Sequence, residues 1–507
     1  MTKAEIEGLL LGFGLHAADA ALCALLASCL HRIHCNVSKT MLIVVGTYSE
    51  QLGHVTGKGD GLYVLELDDE TLTLKSNVEH DTAANTFFFG RPQLGPSSGR
   101  LGLANPTYLI AHEPKGAKDA ASVMIYVVDE REDHPGTLRA LTLNKRTGEL
   151  SPLGDEHDIV AADDRPHEGG ACCHVMVTPD EKYVLAANYL CGSLVVVGRR
   201  EDGSLDSDDV RYYRLDGTPV KRTQVDDDVI ITFPGPNVNR QDRAHAHMVL
   251  YSKGSESDSI LVPDLGSDCV WSIPYVGPKG SGGPLGTPIA TGYDPVLAGG
   301  GPRHAVLHPD PNVRKIYVAY ELTSLVASFD IDEKTGAIVS SSMLSYSRPT
   351  VRNVLAGTRS DSFYSDASSA STSEEDKRGY EQFLRYDAKK ESVPTCADKD
   401  TSVAAIRITP DASHLLVSSR IVNGEGTISA LPLLENGDLN PQVPARIRGV
   451  LGRTPRDFVV MDGPTTASTI IAASQDTDEI VVLREGEEAV ILTKDAPTPV
   501  CLCAVPT

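Results

Sequence analysis

The residues best suited to chemistry are His174, His247, Arg303, His304 and Arg456, with Glu130, Glu321, Arg420 and Gln475. The first five stand near the start of apolar runs and the others at the end of runs. Imidazoles and carboxylates exchange protons near neutral pH, and forked guanidiniums bind phosphate, carboxylate or a developing oxyanion. Together they could process a small anionic substrate. His245-Ala-His247 adds two imidazoles on what reads as one strand face, a spacing that could begin a zinc site. No third ligand is fixed by spacing, so no metal is expected. Asn188 and Asp264 fall at equivalent run ends, but Asn-Tyr and Asp-Leu-Gly are also ordinary turn formers. Asp180, Asp310 and Asp411, in repeated Pro-Asp corners, read as structural turns.

The elements that must position these residues form an internal repeat. Each unit has an apolar strand, a second strand ending in a polar residue, a third after a small residue, and a short fourth. The clearest copy runs Pro302-Arg-His-Ala-Val-Leu-His-Pro-Asp310, then Lys315-Ile-Tyr-Val-Ala-Tyr-Glu321, then Ser324-Leu-Val-Ala-Ser-Phe-Asp330. Others begin at Pro106, Cys173, Ala246, Val403 and Pro455, giving six complete units. Pro499-Val-Cys-Leu-Cys-Ala504 supplies only a first strand, whereas Met41–Thr47, Gly61–Leu67 and Thr71–Lys75 supply the remaining three. A radial sheet array must hide its edges, and a unit shared between the two termini does so. The expected fold is all-β, a seven-bladed β-propeller closed by N- and C-terminal strands over residues 41–507. In antiparallel pairs the start of the first strand lies beside the end of the second. The polar set should therefore converge on a funnel at the axis.

Formal net charge is -23 over 507 residues, which argues against nucleic acid or an anionic membrane as partner. Basic residues gathered at one place in such a chain point to a site. The ten cysteines follow no metal or secreted-scaffold spacing, so free core thiols in a reducing cytoplasm are expected. Residues 1–40 read as an apolar leader appended to the fold, since Glu5 and Glu7 spoil a signal-peptide n-region. The Ser-rich acidic stretch within 350–400 reads as a disordered insert between blades. No membrane partner is expected for residues 41–507. There is no P-loop, no Gly-x-Ser-x-Gly elbow and no His-Glu-x-x-His.

Gly300-Gly-Pro-Arg-His-Ala-Val-Leu-His-Pro-Asp310 with Tyr320-Glu-Leu322 resembles the signature of the lactonase-type seven-bladed propellers, whose activities are 6-phosphogluconolactonase and 3-carboxy-cis,cis-muconate cyclase. Gly46-Thr-Tyr48, Asn239–His247, Asp264-Leu-Gly-Ser-Asp268 and Thr454-Pro-Arg-Asp-Phe458 extend the resemblance over about 41–507. It implies pocket positions at His174, Arg240, His247, Arg303, Glu321 and Arg456. It also implies hydrolysis of a phosphorylated sugar lactone; no cofactor is expected, and the protein is expected to be a cytoplasmic monomer. In that reading Glu321 or His174 is the base, and His247 and Arg303 face the oxyanion. Arg456 and Arg240 hold the phosphate, with His304, Arg420 and Gln475 lining the funnel. Cycloisomerisation of a carboxymuconate needs the same clamps and is the alternative. A non-catalytic scaffold is a second alternative, disfavoured by the absence of exposed aromatic anchors: Trp271 is the only Trp.

Overall fold

The computed structural model describes residues 40–68, 103–115, 121–131, 136–154, 159–160, 170–215, 233–280, 282–292, 297–347, 401–440, 443, 445–461 and 469–505. The expectations for residues 1–39, for Thr71–Lys75 as a fourth strand and for the 350–400 insert lie outside these residues.

Seven antiparallel sheets form the propeller. Six follow chain order, with inner strands at Pro106–His112, Cys172–Val177, Leu250–Ser252, Pro302–Leu307, Thr401–Ile408 and Pro455–Val460. The seventh pairs Pro499–Val505 with Thr40–Thr47, and that strand with Leu62–Asp68. The last strand of the chain is thus the innermost strand of a blade that the first strands complete. Hydrogen bonding along Leu42–Thr47 closes the ring by joining the last strand of the chain to the first.

Strands near the axis are packed on both faces, so their sequences are apolar runs. Tyr183–Asn188 is buried at every position. Among the described residues, seven hydrophobic clusters sit between blades, each drawing side chains from two neighbours. Leu185, Val262 and Trp271 share one, and Val44, Ile125 and Cys501 another. The last of these clusters joins the two chain ends to the following blade, so closure is held by apolar burial as well as by the ladder.

The third of the chain-ordered blades departs from the expected start at Ala246. Its inner strand is only Leu250–Ser252, and Ala246 joins the sheet through a single bridge to Asp264. Side chains replace ladder partners here: the His245 N–H donates to Asp264 Oδ1 (2.6 Å), and the Val249 N–H to His174 Nδ1 (3.4 Å).

Candidate active site

The site begins with a backbone irregularity repeated around the axis. Pairing between inner and second strands slips between Pro106 and Tyr108, Cys172 and His174, Pro302 and His304, and Pro455 and Asp457. The terminal blade slips at Val500. A bulge leaves one residue unpaired and re-aims its side chain. Those residues are Thr107, Cys173, Arg303, Arg456 and Val500, and all five line one cavity of about 290 Å³, its open mouth included. His247, Glu130, His304, Tyr108 and Asp457 complete the wall.

A second set of polar positions lies one residue beyond four of the second strands. Backbone N–H groups of Glu130, Tyr189, Glu321 and Gln475 donate to Asn105, Ala171, Gly301 and Thr454, each the residue just before an inner strand. Asn188 and Asp264 come one residue too early for this position. Asp264 instead accepts from the backbone of Gly266 and Ser267 and from Trp271 Nε1, and Asn188 donates to Ser193 Oγ. Both act within the blade, and Tyr189 takes the axial place expected of Asn188.

Glu321 is the electrostatic centre. Its Oε1 accepts from Arg240 Nη2 at 2.9 Å, while Oε2 lies 2.9 Å from Arg303 Nε and 3.1 Å from Arg420 Nη2. The Arg303 Nε contact is an ion pair too poorly aligned to count as a hydrogen bond; Arg303 Nη1 donates instead to the Ala404 carbonyl at 2.7 Å. Burial alone would raise the Glu321 pKa, but Arg420, Arg240 and Arg303 together drive it well below the usual carboxylate range. Arg303 shows the converse. Burial and Arg420 lower it to about 10 despite Glu321, leaving it charged at neutral pH.

Across the cavity Glu130 has a lighter set of partners. Its Oε2 accepts from the Tyr48 hydroxyl at 2.8 Å and lies 3.9 Å from Arg456 Nη2. The Arg456 guanidinium sits 5.3 Å from the Tyr48 ring centroid and donates to Gln475 Oε1 at 3.4 Å. Gln475 therefore orients Arg456. Four guanidiniums, Arg240, Arg303, Arg420 and Arg456, surround two carboxylates, Glu321 and Glu130, so the formal charge favours an anion.

A deeper layer holds the histidines. His304 lies 5.4 Å from His247 and 6.0 Å from His174, centroid to centroid. Burial holds His247 and His304 well below the ordinary imidazole pKa and lowers His174 to about 3, with Arg303 adding to the effect on each. All three are neutral at pH 7. His247 Nδ1, His304 Nδ1 and His174 Nε2 are buried without a hydrogen-bond partner. Beneath them Arg407 Nη2 pairs with Asp457 Oδ1 at 2.7 Å.

Residues 86–503 match the family described as lactonase, 7-bladed beta-propeller. The chain belongs to that lactonase family. It is 24% identical over 466 residues to the 6-phosphogluconolactonase of Bacillus subtilis (strain 168), covering 90% of this chain and 96% of the relative. A Bacteroides fragilis protein described provisionally as a 6-phosphogluconolactonase superposes with a TM-score of 0.58 at 18% identity, over 93% of this chain and 99% of its own. The periplasmic gluconolactonase of Pseudomonas aeruginosa gives 0.56 at 20% identity, over 92% and 99%.

In this lactonase-family propeller the structure gathers His247, Arg303, His304 and Arg456 on the cavity wall, with Arg240, Glu321, Arg420 and Gln475 linked to it. His174 is displaced: Cys173 lines the cavity on that blade, and His174 stacks behind it on Tyr108 at 4.1 Å. His245 is also absorbed elsewhere, its ring nitrogens 2.8 Å from the Tyr189 carbonyl and 3.0 Å from Asp242 Oδ1. The expected pair of imidazoles on one strand face does not form, because residues 244–249 make only one bridge. Sequence reasoning passed over Arg407, Asp457 and Tyr48. A lone charge in the apolar run Val403-Ala-Ala-Ile-Arg407, and the Asp after Arg456, were the available signals.

Proposed function

We propose that this protein hydrolyses 6-phosphoglucono-δ-lactone to 6-phosphogluconate, a reaction of the pentose phosphate pathway, in the axial cavity. The observation that carries the reading is the excess of guanidiniums in the ion-paired cluster at one small cavity, Arg240, Arg303, Arg407, Arg420 and Arg456 against Glu130, Glu321 and Asp457, in an otherwise acidic chain. Arg456, on the cavity wall, and Arg240, paired with Glu321 and the more exposed of the two, hold the phosphate. Arg303, on the cavity wall with a neutral His247 also lining it, stabilises the oxyanion formed when water adds to the lactone carbonyl. Glu321 anchors Arg240, Arg303 and Arg420, which explains why it is buried and fully ionised. Such a clamped carboxylate is a poor proton acceptor, so its role is to position rather than to act as base. A δ-lactone opens readily, and positioning with charge stabilisation supplies the modest acceleration required without a metal.

The reading places a monomer in the cytoplasm, in keeping with the six free cysteines among the described residues. No helix among those residues is long and apolar enough to cross a membrane. The test is hydrolysis of freshly generated 6-phosphoglucono-δ-lactone by the full chain, coupled to 6-phosphogluconate dehydrogenase and corrected for spontaneous opening, with chelator present. Acceleration that disappears in Arg303→Ala supports the reading. No acceleration by folded protein rejects it and makes cycloisomerisation of a carboxymuconate the next assay.

A further inference from the structure

We propose that Glu130 is the general base of this cavity and that Tyr48 and His54 link it to solvent. The inference rests on the lactone-hydrolysis reading and adds the proton acceptor that reading lacks. Glu130 lines the same cavity as Arg303, His247 and Arg456, with its side chain 11% exposed. One oxygen accepts the Tyr48 hydroxyl, and the other lies 3.8 Å from His54 Nε2. That nitrogen is also 3.2 Å from the Tyr48 hydroxyl, and the His54 side chain is 41% exposed. Carboxylate, phenol and imidazole thus form a continuous path from the cavity to bulk water.

A second feature fixes this path. His54 sits in the turn of a small hairpin, Gln51–Leu52 with Val55–Thr56, that belongs to no blade. Leu52 and Val55 pack with Tyr48 and Val500 in a core of their own. Asn105 ties the hairpin to Glu130. Its Oδ1 accepts the N–H groups of Ser49 and Glu50 (2.9 and 2.8 Å), and its Nδ2 donates to the Glu130 carbonyl (3.0 Å). Asn105 adopts φ of 54°, a left-handed conformation that Asn tolerates better than most residues. The strand ladders that close the propeller do not include the Gln51–Thr56 hairpin.

The chemistry balances. As a water oxygen bonds to the lactone carbonyl carbon, one water proton passes to Glu130 and the carbonyl oxygen becomes an oxyanion facing Arg303. Collapse of that intermediate breaks the ring carbon–oxygen bond, and the proton on Glu130 moves to the departing ring oxygen. The new carboxyl group then ionises. Its proton, the net proton of the reaction, is the one carried outward by way of His54.

Full-length Glu130→Gln, Glu130→Ala and His54→Gln variants test this, with wild type assayed on 6-phosphoglucono-δ-lactone. Glu130→Gln is expected to lose about 100-fold in kcat, while its calorimetric affinity for 6-phosphogluconate stays within about threefold of wild type, less than a single lost hydrogen bond would change it. Formate is expected to restore part of the kcat of Glu130→Ala. His54→Gln should lower kcat with KM unchanged, with recovery as imidazole buffer is added. Wild-type turnover in Glu130→Gln, or a loss in Glu130→Ala that formate leaves untouched, overturns the assignment and leaves the lactonase reading standing. A wild-type protein without lactone turnover overturns both.

Discussion

Glu321 and Glu130 occupy the same place in two blades, one residue past the second strand, each with its N–H bonded to the residue that precedes the inner strand. The surroundings make them different reagents. Glu321 is held by Arg240, Arg303 and Arg420, whereas Glu130 meets the Tyr48 hydroxyl and a more distant Arg456. A carboxylate balancing three buried guanidiniums is structural electrostatics, and one facing a phenol and a half-exposed imidazole can exchange a proton. A repeat thus supplies equivalent positions, while the contents of neighbouring loops decide what each position does.

The sharpest way to break this contrast is to neutralise both carboxylates in turn. Glu321→Gln leaves buried guanidiniums uncompensated and is expected to cost about 3–5 kcal/mol of folding stability, by analogy with breaking a buried ion pair. Glu130→Gln should cost about 1 kcal/mol or less, since an amide oxygen still accepts the Tyr48 hydroxyl. Urea unfolding of both variants measures the difference, and equal losses would erase the distinction. Next in size, Arg456→Ala should raise KM for the phosphorylated lactone by roughly 10- to 100-fold, the equivalent of a charged hydrogen bond. KM for glucono-δ-lactone should change little, and parallel rises would remove Arg456 from phosphate binding.

Protons offer a third test. Groups buried as neutral imidazoles bind fewer protons folded than unfolded, so stability should fall as pH drops below about 6.5. For His174 this continues toward its folded value of about 3, at a limit of about 1.4 kcal/mol per pH unit. His247 and His304 add to the same slope, and the low pKa of Glu321 works in the same direction at more acidic pH. Denaturant midpoints at pH 7, 6 and 5 should decline, and His174→Gln should flatten the decline. Asp268, whose carboxyl burial raises to about 6, opposes this slope below that pH, so the decisive outcome is the variant: a decline in His174→Gln as steep as in wild type would contradict the burial of that ring.

The smallest expected effect lies behind the site. Asp268 accepts the N–H groups of Gly299 and Gly301 at 2.5 and 2.9 Å, pinning the turn that leads into Arg303 and accepts the N–H of Glu321. Burial raises its pKa to about 6. Asp268→Asn should cost about 1 kcal/mol, measured by thermal unfolding, with a few-fold fall in activity as Arg303 and Glu321 loosen.

Much of this was legible in the chain. Period and punctuation in Pro302–Asp330 and its copies specify the blade, and Pro499–Ala504 with Met41–Thr47 specifies closure, because strand registry is a local, alternating property. Pro-Asp corners read as turns are turns: Asp180, Asp310 and Asp411 accept hydrogen bonds from residues two positions away. The same pattern also marks which residue types gather at the axis. What the alternation could not show is the bulge, since one unpaired residue rotates everything before it relative to everything after. That rotation puts Cys173 on the cavity wall in place of His174 and brings Arg303 and Arg456 into line with Val500. Nor could it show which guanidiniums meet which carboxylate. Glu321 draws its partners from positions 240, 303 and 420, and Glu130 its own from 48 and 456. Charge compensation depends on distance in space, and only the closed ring brings those positions within a few ångströms of one another.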